Sequence, residues 1–425
     1  MQKNQLDLFP QKPKKKRLVY LDYAAATPVD PRVIRAMAPY WKSNFANPSA
    51  LYSLGVKNHE ALLEARKKIA HILFTQPDSV IFTSGGTEAN NLAIFGLMKN
   101  EFGLAEIKKN HIITTTIEHH SVLKPIQELE KQGAEVAYIP VNKSGEISVA
   151  DIVAAIKPNT KLISIMYANN EIGSINPIAE IGRAILKYRQ KNTPRPIDFA
   201  QGSGQATQFP YFHVDACQAT GTLDLHIERL HVDLMTINGS KIYGPKGTGI
   251  LFVRRGVPLQ PIMLGGDQEN GLRSGTENVP GIIGLARSLE LTRIDFEKEN
   301  KRQKKLRDYF WREINKKIPD IFLNGSELHG ARLINNLNVQ FSGLEAETLI
   351  LYLDAYGIMA ATGSACTTQT NQASHVLLAC GLTTDETKSS LRFTIGKYTT
   401  KTDINYVLKF LPKIVSAIRA MVKNK

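Results

Sequence analysis

Asp215 and Lys241 are the two residues whose types and spacing say most about chemistry in this 425-residue chain. They lie in HVDACQATGTLDLHIERLHVDLMTINGSKIYGPKGTG, His213 to Gly249, where one short apolar run ends in the carboxylate and the next, ending at Asn238, is followed by the lysine. Two runs of this kind should deliver both side chains to the same edge of a sheet. A carboxylate and an amine so placed suit a cofactor with a cationic ring nitrogen and an aldehyde. Pyridoxal phosphate needs an amine to hold its aldehyde and an acid to keep its ring nitrogen protonated. Taken singly, each residue has a plainer reading, since a strand-end Asp is often a turn former and a lysine among glycines a solvated loop residue. Gly239 to Gly244 has the glycine spacing of a phosphate-binding Walker loop, but Pro245 stands where that motif requires its lysine.

The elements that must position these residues are an alternation of apolar, β-branched runs with amphipathic helical patterns. The runs are Val80–Thr83, His111–Thr115, Glu135–Ile139, Leu162–Tyr167, Tyr211–Val214, Leu234–Ile237 and Gly249–Val253. Such alternation predicts an α/β fold with a mostly parallel seven-stranded sheet flanked by helices. The last two runs are joined without a helix, so one of them can be antiparallel. Polar motifs follow the runs: TSGGTE, IEHH, YANNEIG, DACQ and INGSK. Ligands of open α/β sheets bind outside the carboxyl ends of the strands, where these segments would converge. In TSGGTE the paired glycines let a backbone approach closely and a helix begins near Thr87, offering free N–H groups to a phosphate. His119 is placed to stack on an aromatic ring or move a proton, or simply to satisfy a structural hydrogen bond, while His120 points elsewhere.

The whole chain is 43% hydrophobic, carries a formal charge of +14 and has three cysteines. That size supports a large core and a second, smaller domain. No apolar run approaches the ~18 residues of a membrane span and the amino terminus has no secretory pattern, so the expected location is cytoplasmic. Residues 1–17 read as a basic disordered tail, with Lys3, Lys12, Lys14, Lys15, Lys16 and Arg17 against Asp7. No aromatic-interleaved basic stripe accompanies the charge, so direct nucleic-acid binding is not expected. Cys217, Cys366 and Cys380 are too few and too far apart for a disulfide framework or a paired-cysteine metal site, and no metal is expected. Cys366 differs from the other two in lying within ATGSACTTQTNQ, where small polar neighbours suit an accessible thiol. Pro31 should open a helix capped by Asp30. The Gly-, Gln- and Pro-rich stretch over 190–210 reads as a surface excursion, and a single long polar helix is expected from Val279 to Lys317, bridging to a compact α+β domain. The expected division is 31–296 for the large domain, with 18–30 and 297–425 forming the small one.

In chain order, LDYAAATPVDPRV, FTSGGTEANNLAI, EHHSVL, YANNEIG, HVDACQ, SKIYGPKGTGILFVRR, RSGTENV, TGSACTT and SLRFTIG resemble the signature segments of cysteine desulfurases, fold type I pyridoxal phosphate enzymes. The resemblance runs from about Leu18 to the last helix, and the cysteine segment is similar to that of the subgroup with a long mobile cysteine loop. It implies that Lys241 attaches the cofactor and transfers the proton, Asp215 holds the ring nitrogen and His119 stacks over the ring. Gln218 and Asn170 would contact the ring oxygen and substrate side. Gly86, Thr87, Asn238 and Ser240 would line the phosphate site, with Thr276 contributed by the neighbouring subunit of a homodimer. Arg392 would clamp the carboxylate of L-cysteine, Asn47 would be a second substrate-site residue, and Cys366 would receive the sulfur as a persulfide, releasing L-alanine. The implied acceptor is an iron–sulfur scaffold or a tRNA-thiolation relay. The chain departs from the family pattern at Ser240 and Asn238, where histidine and a serine or threonine are usual; hydroxyl and amide can still donate to a phosphate. Tyr52 stands where histidine commonly follows the NPS loop. Two other readings stay open at this stage: a related lyase or aminotransferase, which needs Lys241 but not Cys366, and a non-catalytic interaction protein on the same fold.

Overall fold

The apolar runs become strands in the computed structural model, which describes residues 9–13, 15–106, 110–192, 209–363 and 373–423. Cys366 with most of its segment, the middle of the 190–210 excursion, and residues 1–8 and 14 of the tail lie outside the described residues. In chain order the first part holds β1 (Val19–Tyr20), α1 (Pro31–Met37), α2 (Pro39–Lys42), α3 (Ser53–Leu73), β2 (Val80–Thr83), α4 (Gly86–Glu106), β3 (His111–Thr115), α5 (His120–Lys131), β4 (Glu135–Ile139), α6 (Val149–Ala155), β5 (Thr160–Met166) and α7 (Ile178–Asn192). The second part holds β6 (Tyr211–Asp215), α8 (Ile227–Leu230), β7 (Leu234–Asn238), β8 (Gly249–Val253), α9 (Val279–Ile294), α10 (Phe296–Lys317), β9 (Ile321–Leu323), β10 (Asn336–Phe341), α11 (Ala346–Ala355), β11 (Ile358–Met359), β12 (Ala361–Thr362), α12 (His375–Ala379), α13 (Thr384–Lys388), β13 (Ser390–Thr394) and α14 (Lys401–Lys423).

The large sheet has seven strands in the order β2-β8-β7-β6-β5-β3-β4. Only β8 runs against the rest, pairing antiparallel with β7 and with β2. It can do so because no crossover helix separates it from β7. Alternate residues of each strand face opposite layers. Val80, Phe82, Ile163, Ile165, Phe212 and Val214 pack with α3, α7 and α9, while Ile81, Leu162 and Tyr211 pack with α4 and α5. Full burial of each aliphatic side chain contributes about 1.5–3 kcal/mol. The second sheet, β12-β13-β10-β9, is antiparallel and covered by α10, α11 and α14 around a separate core that includes Phe310, Phe341 and Phe393. The chain's beginning belongs to this second unit: β1 pairs in parallel with β11.

Asp30 caps α1 as expected, its carboxylate accepting the Arg32 N–H with Pro31 at the first helical position. Two expectations are corrected. The helix expected over Val279–Lys317 is two helices, broken at Asp295, where φ is −99° and ψ is 8°. The first is not polar: Val279, Ile282, Leu285, Ala286 and Leu289 bury it in the large core, whereas α10 carries Phe310 and Ile314 into the other core. One straight helix could not serve two cores in these directions. Residues 9–13, expected in a disordered tail, lie on the second unit instead. Phe9 stacks on Tyr352 with ring centroids 4.4 Å apart, and the Tyr356 hydroxyl donates to the Pro10 carbonyl at 2.5 Å. A ring stack and a hydrogen bond hold the stretch there.

Candidate active site

The carboxyl ends of β2, β3, β5, β6 and β7 open onto one edge, and each is followed by a polar segment that folds for a local reason. After β2, Gly85 takes φ 152° and α4 starts at once with Gly86. A Cβ on Gly86 would come within 2.8 Å of Cys217 Sγ and 3.5 Å of the Asn238 amide nitrogen. The glycine leaves no room for a side chain against Cys217, after β6, and lies close to Asn238 at the end of β7. After β3, His119 caps α5: its Nδ1 accepts the Ser121 N–H at 3.1 Å and lies 2.7 Å from the Ser121 hydroxyl. A ring accepting at Nδ1 is neutral with its proton on Nε2. Burial also pushes the His119 pKa down, against the opposing charge of Asp215.

Asp215 ends β6, buried, with Oδ1 accepting the Cys217 N–H at 2.9 Å and Oδ2 accepting the Asn90 side-chain amide at 2.8 Å. The same Asn90 amide group donates to Ser121 Oγ at 2.8 Å. A continuous chain of hydrogen bonds thus links Asp215 through Asn90 and Ser121 to His119. The sequence reading passed over Asn90 and Ser121. Asn90 sits one helical turn after Gly86, on the same face of α4, and that i, i+4 spacing was the available signal.

Lys241 ends the short 3₁₀ turn Gly239–Lys241 after β7, and its Nζ donates to the Ala25 carbonyl at 2.6 Å. Burial lowers its pKa, and Arg392 lowers it further while the carboxylates of Asp22 and Asp215 oppose the shift. A lysine displaced in this direction is a better nucleophile and base near neutrality. Asn238 and Ser240 form a local pair: Asn238 Oδ1 accepts from both the backbone N–H and the hydroxyl of Ser240 at 3.0 Å. That pair leaves the Asn238 amide nitrogen facing Gly86. Gln218 donates to the Ala24 carbonyl at 3.0 Å. Burial pushes the Cys217 thiol well above its usual range, which favours its protonated form.

Arg392 enters from β13 of the second unit. Its Nη1 donates to the carbonyls of Asn170 at 2.9 Å and Gly363 at 2.8 Å, and its Nη2 to Asp22 Oδ1 at 2.7 Å. Asn170, from the segment after β5, therefore meets the arginine by its backbone. Gly363 is the last described residue before the Cys366 segment, and Ser374, just beyond it, donates to Glu171 Oε2 at 2.5 Å. Three expected residues are not brought into this cluster by direct contact. Thr87 is exposed at the mouth of α4, and Thr276 is exposed on a segment joined to α4 through Arg273 and Glu88 at 2.9 Å. Asn47 is also exposed, with Oδ1 accepting the Ser49 N–H at 2.8 Å, and the adjoining residues from Pro48 to Leu51 line a groove with Asp267 to Asn270.

The donor set fits pyridoxal phosphate. A buried carboxylate suits a pyridinium nitrogen, a partly desolvated lysine amine suits an aldehyde, and the N–H groups of α4 beside the Asn238 amide suit a phosphate. Among the described residues no group of His, Cys, Asp and Glu could hold a metal ion, and no helix is long and apolar enough to cross a membrane.

Residues 19–407 match the aminotransferase class-V family. The chain is 44% identical over 410 residues to cysteine desulfurase IscS of Dictyoglomus turgidum, covering 96% of this chain and 98% of that one. It is 43% identical to cysteine desulfurase IscS 1 of Archaeoglobus fulgidus, covering 95% and 98%. Among solved structures, a NifS-like protein superposes with a TM-score of 0.83 at 32% identity, covering 94% of this chain and 100% of that one. A structure described as SspA in complex with cysteine superposes with a TM-score of 0.75 at 34% identity, covering 91% and 100%. With an internal carboxylate, a desolvated lysine and an incoming arginine on one sheet edge, and with likeness of this extent along nearly its whole length, the chain belongs to the cysteine desulfurases, pyridoxal phosphate-dependent enzymes of aminotransferase class V.

Proposed function

We propose that this chain takes sulfur from L-cysteine, releasing L-alanine and holding the sulfur as a persulfide on Cys366 for delivery to an iron–sulfur scaffold or a tRNA-thiolation relay. The observation that carries the reading is the meeting of Lys241, Asp215, His119 and Arg392 at one sheet edge. When bound, pyridoxal phosphate supplies an electron-accepting ring that stabilises negative charge at the substrate Cα. Asp215 keeps the ring nitrogen protonated, and Asn90 fixes the direction of its carboxylate. Neutral His119 would stack on the ring, with its Nε2 proton free of the Ser121 contacts that occupy Nδ1. Lys241 anchors the cofactor and moves the proton at Cα, for which a lowered pKa suits it. Arg392 binds the substrate carboxylate through its remaining N–H groups.

Cys366 attacks the substrate sulfur as a thiolate. The new S–S bond forms as the Cβ–S bond breaks, the electron pair goes to carbon, and protonation there completes L-alanine. Gly86, Thr87, Asn238 and Ser240 would hold the phosphate, Gln218 and Asn170 would contact the ring oxygen and substrate side, and Thr276 would serve the neighbouring subunit of a homodimer. Asn47 belongs to the substrate side of the assembled dimer. The working form is a soluble cytoplasmic dimer.

The test is production of L-alanine and sulfide from L-cysteine, with and without a reducing thiol, on protein loaded with pyridoxal phosphate. Equal yields, abolished by Lys241→Ala and by Cys366→Ala while the latter keeps the cofactor's colour, are expected. Multiple turnover by Cys366→Ala would remove the role given to that thiol.

A further inference from the structure

Four polar groups of the site are tied to one short segment, Asp22–Thr27. The Ala24 carbonyl accepts from Gln218, the Ala25 carbonyl accepts from Lys241, and the Thr27 hydroxyl donates to the Ser240 carbonyl. Those three contacts are made through backbone carbonyls and fix the segment against the large sheet. The fourth is different in kind: Asp22 sets a carboxylate on the guanidinium of Arg392, the group assigned above to the substrate's carboxylate. The Arg392 side chain is 2% exposed, its Nη1 is occupied by two carbonyls, and its Nε is buried without a partner. A guanidinium has five N–H groups. Arg392 can therefore take one more acceptor while Asp22 stays in place.

Asp22 itself is 17% exposed, so its charge is felt at the opening as well as on the arginine. It also acts on Lys241, beside which the amine of an incoming amino acid must arrive. A bare carboxylate approaching Arg392 meets a like charge already on the same guanidinium. An α-amino acid brings a cationic nitrogen on the adjoining carbon, which offsets that repulsion.

We propose that Asp22 is a specificity-determining residue, an internal carboxylate that weakens binding of simple carboxylates at Arg392 and leaves α-amino acids favoured. The proposal rests on Arg392 being the carboxylate clamp. Its physical basis is that like charges sharing one counter-ion in a partly desolvated site oppose each other strongly, and that specificity is often built from such repulsion.

L-Alanine and propionate differ only in the α-amine and so isolate the effect. Inhibition constants of both against L-cysteine would be measured on the cofactor-loaded parent, Asp22→Asn, Asp22→Glu and Arg392→Gln, with propionate binding followed independently by calorimetry. The parent should favour L-alanine. Asp22→Asn keeps an acceptor oxygen for Arg392 but removes the charge, and should tighten propionate by about tenfold with little change for L-alanine. Asp22→Glu should keep the parent's preference. Equal shifts for both ligands in Asp22→Asn, or a parent that does not distinguish them, would overturn the proposal. Should Asp22→Asn not load cofactor, loss of the preference in loaded Asp22→Glu would overturn it as well. If Arg392→Gln leaves both constants unchanged, the clamp reading falls and the proposal with it. If that variant weakens both ligands while Asp22→Asn leaves their ratio alone, only the role of Asp22 is lost.

Discussion

Asn90 is the residue on which the geometry around Asp215 turns. It lies fully buried between two acceptors, Asp215 Oδ2 and Ser121 Oγ. Removing its amide leaves a buried carboxylate oxygen without that donor, at a cost of about 1–3 kcal/mol. Asn90→Ala should lower the melting temperature and reduce kcat about tenfold, the equivalent of about 1.4 kcal/mol. Unchanged kcat in a folded, loaded variant would show that the carboxylate needs no such guide. Beside His119, Glu118 is buried with Oε1 accepting from the Thr115 hydroxyl at 2.7 Å and the Met166 N–H at 2.9 Å, while Oε2 has no partner. Burial pushes its carboxyl up to about 8, with the charge of Asp215 adding to the rise and the two hydrogen bonds opposing it. The folded protein therefore holds a proton that the unfolded chain releases between about 4.5 and about 8. Stability from this group is complete below that window and falls as pH rises through it. Glu118→Gln cannot ionise, so its stability relative to the parent should improve from about pH 5 to about pH 8 by at least ~1 kcal/mol in denaturant titrations. A difference that does not vary with pH would mean Glu118 is ionised in the fold.

At the scale of elements, the working parts are the turns that join strand ends to helices. The start of α4 is constrained, because its first residue lies against Cys217 after β6 and Asn238 at the end of β7. Gly86→Ala would drive a methyl group to 2.8 Å from Cys217 Sγ unless something moved. We expect folding to survive and pyridoxal phosphate to bind about tenfold more weakly, since the helix N-terminus and the Asn238 amide would be pushed apart. An absorbance titration showing unchanged affinity would exclude this turn from the phosphate site. The break between α9 and α10 belongs to the same scale. The sequence turns from apolar to charged after Ile294, yet the helical periodicity continues, so nothing local marks Asp295 as a corner. Only the directions of two different cores require it.

For the whole molecule, Trp41, Phe45, Leu51 and Leu264 are large apolar side chains left exposed, Leu51 at 96%. A large apolar side chain exposed to this degree suits a contact with another protein. On the dimer reading, Leu51→Glu should shift the protein toward monomer in light scattering and reduce turnover, because Thr276 could no longer reach a partner's phosphate site. A variant that stays dimeric with full activity would place the subunit contact elsewhere. The two units of the chain are joined at the site itself, through Arg392 to Asn170 and through Asp22–Thr27 to the large sheet. Binding events at the arginine therefore act on both units at once.

Continuous apolar, β-branched runs located the strands of the large sheet, since a strand buried on both faces has to be apolar along its whole length whatever its neighbours. Asp215, Lys241 and His119 could be singled out for the same reason: chemistry demands particular residue types just past strand ends. The missing helix before β8 allowed for an antiparallel strand, but strand order, with β8 between β7 and β2, was not readable because it is set by pairing between distant segments. Nor were Asn90, Ser121 and Asp22, ordinary polar residues whose importance comes from a partner 31 to 370 positions away. A side chain's type and its local pattern are properties of the sequence. Which charge faces which, and in what degree of burial, is decided only when distant segments pack together, because electrostatic strength depends on distance and solvent rather than on order along the chain.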